Sequence, residues 1–290
     1  METISKTNGT FKSFDGTPIY YETRGDGPAI VFIYGIACLM NHWHYQVEHF
    51  SKTHKVICFD LRGHHKSSEV PEGKNLTIEA IARDLIGLLE FLNIPSAHFV
   101  GHSFGATVIL ETYLEKPELF KSLVFINGFA KNPIKGMYGL DVVEPFFYFV
   151  RDQYYKSPDI WNALWRALLY NPIAMHLAAI AGGFNIRLTH FKDIEVYARG
   201  VSQMDLKVFL PLFEALMNFD GDSIVDSVKC PALIISGEED HVTPQKFQFE
   251  LHEKIKGSEF LMVPYGSHCT QLDFPDYINL RLDRFFKENE

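Results

Sequence analysis

Ser103 sits in Gly101-His102-Ser103-Phe104-Gly105, between the short apolar run 97–100 and the helix-like segment Ala106-Thr107-Val108-Ile109-Leu110. A serine on a tight strand-to-helix turn holds its hydroxyl above the sheet edge. The flanking glycines let two backbones pass where a Cβ would collide. A serine hydroxyl is a poor nucleophile at neutral pH. It needs a histidine to take its proton and an acid to hold that histidine in the right tautomer. Two further loops offer them: Glu238-Glu239-Asp240-His241 after one apolar run, and Tyr265-Gly266-Ser267-His268 after the next. Asp240 is the expected acid, with Glu238 and Glu239 as competitors, and His268 is the expected base.

These residues must be delivered to one sheet edge. Asp15-Gly16 between alternating segments predicts a hairpin. The run 29–33 reads as a continuous apolar strand and 122–128 as another buried strand, with further strands over 55–60, 231–237 and 259–264. Helices are expected over 41–52, over 77–93 with Thr77 as N-cap, after Ser103, from Pro244, and over 275–287. Strands alternating with helices predict a mostly parallel, doubly wound sheet covered on both faces. From 130 to 222 the strand pattern stops and aromatic helical segments replace it, including Phe146, Trp161, Trp165 and Tyr170. The expected organisation is an α/β core of residues 1–129 and 223–290, interrupted by a helical cap over 130–222.

Composition limits the partners. The 290 residues carry a net charge of −9 and no basic stripe, which argues against nucleic acid and anionic membranes. The longest apolar stretch, 160–184, is broken by Arg166, Asn171, Pro172 and His176, so it reads as amphipathic helices rather than a span. The N-terminus shows no apolar signal segment, and Cys38, Cys58, Cys230 and Cys269 have no paired spacing. Reduced thiols and a cytoplasmic location are the expectation. Oligomeric state is not legible.

With those motifs in hand, the chain resembles the α/β-hydrolase fold superfamily, in its esterase, lactonase and cofactor-free haloperoxidase-like group. Asp60-Leu61-Arg62-Gly63-His64 is similar to a structural loop of that group. The resemblance implies an oxyanion hole from the backbone N–H groups of Ile36 and Phe104. Two departures stand out. Tyr34-Gly35 replaces the usual His-Gly, and Arg62-Gly63-His64-His65 replaces Arg-Gly-His-Gly, so a positive φ at His65 would carry strain. A serine at the nucleophile position argues against epoxide hydrolases and haloalkane dehalogenases, which resemble this fold but use aspartate.

The expected activity is cofactor-free cleavage of small-to-medium carboxylic esters with an apolar or aromatic part, through an acyl-enzyme. Carbon–carbon hydrolysis of ring-cleavage products, perhydrolysis and a slow-turnover ligand-sensing role remain alternatives. Phe129, Phe146, Trp161 and Trp165, together with Tyr34, His102 and Val242, are the expected pocket residues. No metal is expected: His42 with His44, and His64 with His65, lack a cysteine or acid to complete a set at usable spacing.

Overall fold

The structure is a computed structural model that describes residues 4–67, 70, 75–140, 142–169, 179–180 and 183–290. Tyr170, Asn171, Pro172 and His176 of the sequence reading lie outside the described residues.

Eight strands form one sheet in the order β1-β2-β4-β3-β5-β6-β7-β8. The first two, β1 (Lys6–Lys12) and β2 (Pro18–Arg24), pair antiparallel across the Asp15-Gly16 turn, and β2 pairs antiparallel with β4 (Lys55–Phe59). The others are parallel: β3 (Ala29–Ile33), β4, β5 (Ala97–His102), β6 (Phe120–Ile126), β7 (Ala232–Gly237) and β8 (Glu259–Val263). Every residue of β3, β5 and β7 is buried, which is why these strands read as continuous apolar runs.

Helices cover this sheet. Thr77 accepts the Ala80 N–H on its hydroxyl at 3.2 Å and starts α2 (Ile78–Phe91), and Asn93 turns left-handed after it. The helix expected over 41–52 is a 3-10 turn at Met40–Trp43 running into α1 (His44–Phe50). Helix α3 (Phe104–Glu115) follows Ser103 directly. Between β6 and β7 lie α4 (Val143–Lys156), α5 (Pro158–Leu169), α6 (Phe191–Gln203), α7 (Leu206–Asn218) and the short α8 (Asp222–Val225). The chain closes with α9 (Lys246–Lys254), α10 (Thr270–Asp273) and α11 (Pro275–Glu288).

The strand order positions the chemistry. The chain moves from β3 outward to β4, then returns to the other side of β3 to lay down β5. Such a reversal opens a crevice beyond the carboxyl ends of β3 and β5. Ile36 follows β3 and Ser103 follows β5, so the two loops face each other across it.

Candidate active site

Ser103 has φ +53° and ψ −119°, a left-handed conformation forced on a non-glycine residue. The turn closes because its glycines give room. A Cβ at Gly105 would stand 2.3 Å from the Ile33 carbonyl oxygen, and one at Gly101 would stand 2.8 Å from the Gly105 carbonyl carbon. Neither contact is physically available to a side chain. Ser103 itself is 8% exposed, and among the described residues no hydrogen bond joins its Oγ to the His268 ring.

Asp240 and His268 meet at the same edge. His268 Nδ1 donates to Asp240 Oδ2 at 2.9 Å, which leaves Nε2 as the ring's free lone pair. Asp240 is buried, and it also accepts the Val242 and Thr243 N–H groups on Oδ1, both at 2.9 Å. The Thr243 hydroxyl lies 2.7 Å from Asp240 Oδ2. The competing acids turn elsewhere. Glu238 Oε2 accepts the Tyr265 N–H at 3.1 Å, and Glu239 is exposed.

Asn127, just past the end of β6, ties the acid and histidine loops together, a role its place in the sequence does not announce. Its amide donates to the carbonyls of Ser267 (3.0 Å) and His268 (2.7 Å), and its Oδ1 accepts the Gly237 N–H at 2.7 Å. It is fully buried at φ +50°, a conformation asparagine tolerates better than most residues. Gly183 was also missed: its carbonyl accepts the His268 N–H at 3.0 Å.

Two backbone N–H groups in the loops that flank the crevice have no backbone acceptor among the described residues. Phe104 opens α3, so its N–H has no intrahelical acceptor, and the Ile36 N–H has none among the described residues. The Ile36 loop is held by its neighbours. The Ala37 N–H donates to His64 Nε2 at 3.2 Å, and His65 Nε2 donates to the Cys38 carbonyl at 2.8 Å. His65 has φ +42°, the strain anticipated from its replacing glycine, and its ring gives that loop an anchor in return.

The pocket expectations need correction. Phe146 is 66% exposed, because adjacent rings on α4 point about 100° apart and Phe147 takes the buried side. Tyr34 is fully buried; its hydroxyl donates to Asp60 Oδ1 at 3.3 Å and accepts the Leu61 N–H at 2.9 Å, so it braces two loops. Phe129 lies wholly within the core, Trp161 is half-buried against it, and the Trp165 indole donates to the Val201 carbonyl at 3.0 Å. Val242 and His102 do adjoin the pair. A Cβ at Gly183 would stand 2.5 Å from both Val242 Cγ2 and His268 Cβ, and the His102 and His268 ring centroids are 4.7 Å apart. Beside them a cavity of about 460 Å³ is lined by Tyr138, Gly183, Phe184, His241, Tyr265 and Ser267 among others. Outside the pairs His42 with His44 and His64 with His65, Cys38 comes close to His42 and His102. His102 reaches this group from the end of β5, whereas Cys38 and His42 follow β3.

The model of the alpha/beta hydrolase fold family matches residues 28–275. The chain belongs to this family. The "Putative carbamate hydrolase RutD" of Agrobacterium fabrum is 27% identical over 271 residues, covering 92% of this chain and 96% of the relative. Among solved structures, the enol-lactonase from Burkholderia xenovorans superposes with a TM-score of 0.73 at 22% identity, covering 96% of this chain and all of that one. The meta-cleavage product hydrolase from Pseudomonas fluorescens superposes with a TM-score of 0.77 at 21% identity, over 97% of this chain and 98% of that one. These likenesses show an alpha/beta hydrolase fold, and with the family they support a hydrolase. No described helix is long and apolar enough to cross a membrane.

Proposed function

We propose that this protein is a cofactor-free serine hydrolase that cleaves small-to-medium carboxylic esters with an apolar or aromatic part through an acyl-enzyme. The observation that carries the reading is the Asp240–His268 pair at 2.9 Å, on the sheet edge that also bears the strained Ser103 turn. Residues 130–222 form the cap, and 1–129 with 223–290 form the core.

Ser103 Oγ attacks the ester carbonyl as His268 Nε2 takes its proton. Asp240 keeps the ring oriented and stabilises the imidazolium. The carbonyl oxygen becomes an oxyanion accepting the Ile36 and Phe104 N–H groups, preformed donors that need no reorganisation. Collapse expels the alcohol with the proton from His268. Water, deprotonated by the same ring, then attacks the acyl-enzyme and releases the acid and free Ser103.

A second reading has specific support. Relatives aligned over most of the chain carry the name carbamate hydrolase. A carbamate presents the same carbonyl to the same triad, with nitrogen beside it. A p-nitrophenyl ester series run alongside matched carbamates, with Ser103→Ala as control, tests both. Turnover of esters over carbamates, lost in the variant, supports the first reading. The reverse preference supports the second. Undiminished turnover in Ser103→Ala sinks both.

A further inference from the structure

Beneath the proposed nucleophile, three chemistry-bearing side chains converge that the hydrolytic mechanism does not use. The ligand atoms of Cys38, His42 and His102 lie within 4.8 Å of one another, and all three residues are buried. His42 Nε2 and His102 Nδ1 have no hydrogen-bond partner among the described residues. Both nitrogens therefore have a lone pair or proton available to a group that enters between them.

The local chemistry says which occupant. His102 Nε2 lies 2.8 Å from the His268 carbonyl, which can only accept, so Nε2 carries the proton and Nδ1 presents a lone pair. A ring that donates one N–H to a backbone carbonyl while its other nitrogen is free is the usual arrangement of a metal-bound histidine. His42 stacks on this ring at a centroid distance of 4.8 Å. The space they face is the one Gly35 leaves open. A Cβ there would stand 3.2 Å from His102 Nδ1, 3.6 Å from Cys38 Sγ and 3.2 Å from Ser103 Cβ.

We propose that Cys38, His42 and His102 form a binding site for a borderline-soft cation of the zinc class, and that filling it switches off Ser103. Two imidazoles and a thiolate form a typical zinc donor set, with a fourth position left for water. Cys38 ligates as the thiolate, so binding displaces its proton. Tetrahedral zinc sets such ligand atoms about 3.3–3.6 Å apart, so the three must close by up to about 1.5 Å. Cys38 ends the turn that carries Ile36, and His102 precedes Ser103. Closing them therefore moves an oxyanion donor and the nucleophile out of register, and a misplacement of that size costs about 100-fold in rate.

The switch rests on the assignment of Ser103 as nucleophile; the binding site does not. Cobalt(II) titration of the metal-free protein reads the site without any turnover. The expected result is one equivalent with a thiolate-to-cobalt charge-transfer band, which Cys38→Ser removes. His42→Phe keeps the stacked ring, removes its donor, and should weaken binding by about 10- to 100-fold. Zinc should then inhibit wild-type hydrolysis by about 100-fold, EDTA should restore it, and the Cys38→Ser variant should escape inhibition relative to its own zinc-free rate. Absence of the band, or an equal band in Cys38→Ser, overturns the site. Zinc that binds there without slowing an active enzyme overturns the switch.

Discussion

Gly183 rests directly on His268: its carbonyl accepts the His268 N–H at 3.0 Å, and a Cβ on it would stand 2.5 Å from His268 Cβ. With φ at +74°, the position also disfavours any side chain. Gly183→Ala should therefore push the histidine and lower kcat by about 100-fold, with KM changed far less. A steady-state comparison with wild type checks this. Retention of wild-type kcat would mean that the contact does not hold the ring in place.

The acid assignment separates by substitution. Asp240→Asn removes the charge that orients and stabilises the His268 ring, and kcat should fall on the order of 10³- to 10⁴-fold. Glu238→Gln alters an exposed carboxylate whose partner is the Tyr265 N–H, and should leave kcat within about twofold of wild type. The opposite ranking of the two variants contradicts the assignment.

What the sequence made legible is what neighbouring residues encode. The Ser103 turn needs only the glycines beside it. Asp240 and His268 could be placed because each lies in the loop that follows a strand, β7 and β8, at the same sheet edge. The contacts of Gly183 with His268, and of Cys38 and His42 with His102, could not, because they join residues far apart in the chain through loop geometry with no periodic pattern. Phe146 was misplaced for a different reason. Four consecutive aromatic residues on α4 point around the helix; Phe147 is buried, at 6% exposure, Tyr148 is half-buried against the core, and Phe146 and Phe149 are exposed. Tyr34 follows β3 directly in the sequence, but the direction of its hydroxyl toward Asp60 depends on the neighbouring loop.

Tyr34→Phe tests that brace. It strips the hydroxyl from Asp60 Oδ1 and from the Leu61 N–H inside a fully buried site. A loss of about 1–3 kcal/mol in unfolding free energy is expected, read by urea denaturation. An unchanged midpoint would show that neither group depends on it.

Acid sensitivity follows from His98, buried at the start of β5 with Nδ1 2.7 Å from Ser122 Oγ and its ring 4.7 Å from that of Phe286. Burial is the largest cause of its depressed pKa, about 4 against an ordinary 6.5, and the nearby Lys121 and His54 add to it. The unfolded chain protonates first. Stability from the neutral ring is therefore complete above pH 6.5 and is lost as pH falls toward 4, at up to about 1.4 kcal/mol per pH unit. His98→Gln should show a shallower decline over that window, and parallel curves for the two proteins would contradict the assignment.

The account turns on Ser103 as nucleophile, and peptide mapping by mass spectrometry after fluorophosphonate treatment tests that most directly. The expected result is one covalent adduct on Ser103, absent from Ser103→Ala and greatly slowed in an Asp240→Asn variant. An adduct on another residue, or equal labelling of Ser103→Ala, would contradict it.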